Sequence, residues 1–170
     1  MSIRSVVVGD VTSSSLNIII GMNTRLGEAS ALGRQVLSDK SLTRELDLGE
    51  VITFDFGLNR RLHMVVCHYL GQGGWMNAEK YLRFGLDYLW QTTKPAQEFA
   101  IVQIGMGVVG RRDGADDEAL RTAMATSHLP LHLYIRGEAK QAEAHASVVP
   151  LRPLRTWSPI RGEQEIRLAA

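Results

Sequence analysis

One cysteine, Cys67, stands in 170 residues. That excludes an internal disulfide framework and any thiolate metal cluster that this chain alone would build. A reducing, cytoplasmic setting is the expectation. Net charge is nearly absent as well: nineteen Lys and Arg against eighteen Asp and Glu leave +1, which gives no reason to expect nucleic acid or an anionic membrane as the main partner. Long apolar runs are missing, since the stretch Ile3–Val8 falls far short of the ~20 residues a spanning helix needs. There is no internal repeat and no low-complexity tract. His63, His128, His132 and His145 show no H-x-x-x-H, H-E-x-x-H or Cys/His spacing, so neither a metal site nor a cofactor is expected. Ser13–Ser15 are not the G-x-S-x-G elbow of a hydrolase, and no Ser–His–Asp order stands out.

What is present is the composition of a folded domain, 45% apolar and 22% charged. The length suits one domain, assigned to residues 1–149. Residues 150–170 read as an extended tail, because Pro150, Pro153 and Pro159 punctuate a segment without sustained amphipathic period. Strands are expected at Ile3–Val8, Leu16–Ile20, Glu50–Phe56, Leu62–Tyr69, Glu98–Ile104 and Leu131–Arg136, several apolar on both faces as in a sheet covered by helices. Asn77 is placed to cap a helix whose Leu82, Gly85, Leu86 and Leu89 recur on one face, with Trp90 extending it. A second helix begins near Asp116 and Asp117, buries Leu120, Ala123 and Met124, and stops before Pro130. A smaller one covers Ala29–Leu37. Single helices between strands make the fold class α/β, a three-layer α/β/α sandwich.

In such sheets ligands bind outside the carboxyl ends of the strands, and the residues with chemical potential follow strands. After the first come Gly9, Asp10, Val11 and Thr12. Asp10 presents an acceptor-only carboxylate suited to an adenine amino group, or else it closes a turn. After the fifth come Gly105, Met106, Gly107, Val108, Val109 and Gly110. Three glycines in six residues let backbone N–H groups converge on a phosphate, or else serve tight helix-on-strand packing. Asn23, after the second strand, has an amide for a ribose hydroxyl, though an Asn after a strand is more often simply a turn residue. Glu28 belongs on the surface. Trp75, beside Gly71–Gly74, either stacks on a base or packs under the next helix. His68 shares a face with Leu62, Met64 and Val66 and reads as a packed histidine.

With these residues in order, the chain resembles the macro domain family over about Ile3 to Arg136. Gly9-Asp10-Val11-Thr12 corresponds to that family's Gly-Asp-(Ile/Val)-Thr. Gly105-Met106-Gly107-Val108-Val109-Gly110 corresponds to its phosphate loop, with Val109 where the family has an aromatic. Val65-Val66-Cys67-His68 with Trp75 corresponds to a third element. The resemblance implies a central mixed sheet, and it implies ADP-ribose or a related nucleotide as ligand. Asp10 and Val11 would then lie at the adenine, the Gly105–Gly110 loop at the diphosphate and Asn23 at the distal ribose. Ile20-Gly21-Met22-Asn23 keeps only the last Asn of the family's Asn-Ala-Ala-Asn, and its long glycine run is reduced to Gly27. These departures surround the distal ribose, so binding carries over further than catalysis. The alternative within the resemblance is an ADP-ribosyl hydrolase in which Asn23 is the catalytic candidate. Outside it stands a nucleotide-blind scaffold that docks a protein partner through the Trp157-bearing tail.

Overall fold

The computed structural model describes residues 3–8, 15–23, 46–57, 59–68, 78–94, 97–102, 115–135 and 152–165. Within them lie eight strands and two helices. The strands are β1 (Ile3–Val8), β2 (Asn17–Asn23), β3 (Val51–Gly57), β4 (Arg60–His68), β5 (Phe99–Val102), β6 (Leu131–Ile135), β7 (Arg152–Ser158) and β8 (Gly162–Glu165). The helices are α1 (Ala78–Thr92), between β4 and β5, and α2 (Ala115–Thr126), between β5 and β6. All eight strands join one sheet in the order β1-β6-β5-β2-β4-β3-β7-β8. β1, β6, β5, β2 and β4 run parallel, whereas β3, β7 and β8 are added antiparallel. The sheet is therefore mixed.

Branched apolar side chains alternate along these strands and bury both faces. One face holds Ile19, Val51, Val65, Cys67, Phe99, Ile101, Leu131 and Leu133, packed against Leu82, Leu86 and Leu89 of α1 and Ala123 and Met124 of α2. The other buries Ile18, Ile20, Ile52, Phe54, Leu62, Met64 and Val66 with Leu46. Two buried faces are what the central sheet of a three-layer α/β/α sandwich has to have. The expected helix at Ala29–Leu37 and the side chain of Leu120 lie outside the described residues.

The helix α1 keeps its stripe through Leu89, and Gly85 is what lets it lie close to the sheet. A Cβ at Gly85 would stand 2.6 Å from Cγ1 and 2.9 Å from Cγ2 of Val65. The expectation that Trp90 extends the buried face is corrected here. One residue beyond Leu89 turns the helix by ~100°, so Trp90 points outward, 45% exposed, with its ring 5.5 Å from that of His128. At the β3–β4 hairpin, Gly57 and Asn59 have φ of 79° and 61°, the left-handed region that glycine and asparagine tolerate best.

The extended tail is also corrected. Residues 152–165 form β7 and β8, and β7 is hydrogen-bonded to β3 from Val51↔Trp157 to Asp55↔Arg152. Pro153 is accommodated opposite Phe54 where the register shifts, at the start of β7 and outside its paired stretch with β8, the kind of position where a missing N–H is tolerated. Thr156 and Ser158 are buried. Trp157, read as a docking element, instead lies on the core with its ring stacked on Tyr88.

Candidate functional site

The five parallel strands end together along one edge of the sheet. Their carboxyl ends are Val8, Ile135, Val102, Asn23 and His68, in the order in which β1, β6, β5, β2 and β4 lie side by side. From β2 the chain next builds toward β4 and β3. After α1 it crosses back to β5 and proceeds through α2 to β6. The direction of winding thus reverses between β2 and β5, and such a switch point opens a crevice outside the strand ends.

Asn23 ends β2 at that switch point, paired in register with His68 after an irregularity between Met22 and Asn23. Asp10 and Val11 follow β1, and Gly105, Met106, Gly107, Val108, Val109 and Gly110 follow β5; all eight lie outside the described residues, as do Glu28 and Trp75. What the described strands establish is where these segments depart. The strands that precede them end at the same edge, β5 beside β2 and β1 two strands beyond β5. With neighbouring strands ~4.8 Å apart, β1 and β2 are separated by roughly 14 Å at this edge.

Two histidines of the sheet have defined surroundings. His63 is 2% exposed, with Nδ1 2.9 Å from Thr53 Oγ1 and its ring 5.8 Å from that of Phe99. Burial first, then the charges of Arg155 and Arg61, hold it neutral and push its pKa down to about 3. A proton-transfer role near neutrality does not suit it; it is a core group. His132 on β6 meets Ser5 Oγ at 2.6 Å through Nδ1 and Glu98 Oε2 at 3.5 Å through Nε2. This line crosses β1, β6 and the start of β5 in their amino-terminal halves, away from the carboxyl ends. It ties the outermost strand to its neighbours. No local motif announces it, because Ser5 and His132 are 127 residues apart and only the pairing of β1 with β6 joins them.

A cavity of about 510 Å³ lies between Leu46–Leu48, Tyr81, Phe84 and the turn Pro159–Arg161. The turn is held by Ser158 Oγ, which accepts from the N–H groups of Ile160 and Arg161 at 3.0 and 2.9 Å, and by the pair Arg161–Asp47 at 3.2 Å. Among the described residues no group of three His, Cys, Asp or Glu side chains is placed to hold a metal ion. No described helix is long and apolar enough to cross a membrane.

No family model matches the sequence, and no curated protein matches it. Solved structures do. An aspartate-to-alanine mutant of the Oceanobacillus iheyensis macrodomain is similar with a TM-score of 0.50 at 18% identity, over 81% of this chain and 86% of that one. A glycine-to-valine mutant of the same macrodomain, with ADPR (ADP-ribose), is similar with a TM-score of 0.50 at 20% identity, over 81% of this chain and 87% of that one.

Proposed function

The chain has the macrodomain fold, and from that premise we propose that it binds ADP-ribose or a closely related nucleotide at the carboxyl edge of its parallel strands. In this reading Asp10, with Val11, meets the adenine. The backbone of Gly105, Met106, Gly107, Val108, Val109 and Gly110 wraps the diphosphate, and the Asn23 amide takes the distal ribose. The observation that carries it is topological. The strand that ends in Asn23 and the strand that leads to the glycine-rich segment are neighbours at the switch point, and the strand that leads to Asp10 opens onto the same edge.

Physical chemistry supports each role. A carboxylate accepts but cannot donate, which matches the exocyclic amine of adenine. Glycines leave backbone N–H groups free to approach an anion. ADP-ribose is also the ligand named for one of the similar structures.

A ligand-dependent melting series tests the proposal. ADP-ribose at a hundred times its dissociation constant stabilises a one-site protein by about 2.7 kcal/mol, while ribose 5-phosphate at the same concentration, lacking the adenosine and one phosphate, leaves the transition nearly unmoved. An unmoved transition at millimolar ADP-ribose contradicts it.

A further inference from the structure

The cavity of about 510 Å³ lies at the same edge of the sheet as Asn23. β3 is antiparallel to β4, with Val51 opposite Val65, and the Gly49 N–H donates to the Val66 carbonyl at 2.7 Å. The chain before β3 therefore runs along β4 toward His68, which lies in register with Asn23. Leu48 and Asp47, one and two residues before Gly49, border the cavity there. β7 ends at the same edge, since Trp157 pairs with Val51 and the turn Pro159–Arg161 follows. The first turns of α1 bring Tyr81 and Phe84 to it. Gly49, at φ 85°, lets turn and helix close in, because a Cβ would stand 3.1 Å from Pro159 Cγ and 3.5 Å from Phe84 Cδ2. At ~4.8 Å per strand, β3 stands roughly 10 Å from β2, on the side away from β5.

The walls divide by chemistry. Tyr81 and Phe84 meet edge to face, with ring centroids 6.0 Å apart and planes at 64°, and such a corner suits a flat ring. Lys80 Nζ lies 5.6 and 5.8 Å from the two centroids, so these rings already draw a cation. The polar part is one couple: Arg161 Nε stands 3.2 Å from Asp47 Oδ2, with Asp47 largely buried and Arg161 half exposed. That contact leaves Asp47 Oδ1 to accept and the Nη–H groups of Arg161 to donate. A donor beside an acceptor complements a primary carboxamide, whose carbonyl accepts and whose NH2 donates. An aromatic carboxamide uses both parts of the cavity at once.

With adenine at β1, diphosphate at β5 and distal ribose at β2, ADP-ribose runs along the edge toward β4 and β3 and stops at its anomeric hydroxyl. On that reading, which is a premise here, we infer that the cavity receives a nicotinamide ring joined at the anomeric carbon, so that the ligand held most tightly is intact nicotinamide adenine dinucleotide (NAD). The anomeric carbon lies across the ribose from the carbon that bears the diphosphate, which directs its substituent toward β3. A ribose with a pyridine carboxamide joined to it is about as long as two strand spacings. The carboxamide then bridges Asp47 and Arg161, and the ring lies against Tyr81 and Phe84. Its pyridinium charge has the sign of the ammonium that those rings already attract.

Calorimetric titration of the full chain with ADP-ribose, NAD and the nicotinic acid analogue of NAD tests this, with Arg161→Met beside the unaltered protein. NAD is expected to bind at least roughly tenfold tighter than ADP-ribose, the scale of a hydrogen bond to a charged group. The nicotinic acid analogue, whose carboxylate would face that of Asp47, is expected to lose this gain. Arg161→Met keeps the stem of a half-exposed side chain. It is expected to bring NAD down to the affinity of ADP-ribose while ADP-ribose itself binds as before. NAD that binds no tighter than ADP-ribose overturns the inference and leaves the ADP-ribose reading standing. So does an analogue held as tightly as NAD, or an Arg161→Met protein that keeps the gain. Absence of binding by both ADP-ribose and NAD overturns that reading, and the inference with it.

Discussion

Trp157 of β7 stacks on Tyr88 of α1 with ring centroids 4.4 Å apart and planes 8° from parallel. This contact joins the last strands of the chain to the helix that crosses from β4 to β5, so β7 and β8 share the core of the α/β body. Parallel aromatic pairs contribute beyond their buried area. Trp157→Ala is expected to cost about 2–3 kcal/mol, below the full range for a wholly buried tryptophan. At ~2–4 °C per kcal/mol that lowers the melting temperature by roughly 4–12 °C. Deleting residues 150–170, which also strips β3 of its partner β7, is expected to lower it further. A deletion variant melting within two degrees of the full chain would contradict the packing described.

Gly85→Ala tests the closest approach of helix to sheet. Alanine is the better helix former by ~1 kcal/mol, so an exposed site would gain from the change. Here the new methyl would meet the stiff side chain of Val65, at 2.6 Å, inside a filled core. Overpacking costs about 1–3 kcal/mol, which outweighs the gain, and chemical denaturation is expected to show net destabilisation. Increased stability would mean that α1 sits further from β4 than the structure has it.

The pH dependence of stability should carry the signature of His63. Its folded pKa, about 3, lies below its ordinary value of 6.5, so the unfolded chain binds the extra proton throughout the interval between them. Stability therefore falls as pH drops from about 6.5 toward 3, with a slope approaching about 1.4 kcal/mol per unit from this group alone. His63→Gln, which keeps a partner for Thr53 Oγ1 and removes the titration, is expected to flatten the curve between pH 6 and 4. Denaturation midpoints that shift in parallel for both proteins across that range would show that His63 is not held neutral.

How much of this was legible in the sequence depended on local pattern. Ile3–Val8 was readable to the residue because its β-branched run is bounded by Gly9 and Asp10. The helix α1 was readable because Leu82, Leu86 and Leu89 repeat at the period of a buried stripe. The strand β7 was not, because Pro150, Pro153 and Pro159 look like breakers. Pro153 falls at a register shift and Pro159 in the β7–β8 turn, positions that spare the ladder, and only pairing with β3 reveals them. Trp90 misled through its bulk, being apolar but one step past the stripe. For the ligand site, the sequence order of strand and motif placed Asn23, Asp10 and the glycine-rich segment, and strand order adds that their strands share one edge. The contacts among those residues are side-chain and loop properties that strand order does not determine.

Asp10 separates base recognition from phosphate binding. Asp10→Ala is expected to weaken adenine-containing ligands by about 1.5–3 kcal/mol, the scale of a hydrogen bond to a charged group, while ribose 5-phosphate binding stays nearly unchanged. Equal losses for both ligands would mean that Asp10 supports its turn and does not read the base.

The most direct test is calorimetric titration of ADP-ribose into the unaltered protein and into Gly107→Glu, with chemical denaturation of both. A side chain at Gly107 would occupy the space of the phosphate oxygens, and its carboxylate would repel their charge. The unaltered protein is predicted to bind a single equivalent, and Gly107→Glu to fold with nearly unchanged denaturation midpoint and bind none. A folded Gly107→Glu protein that takes up ADP-ribose with unaltered affinity would contradict the proposed phosphate site.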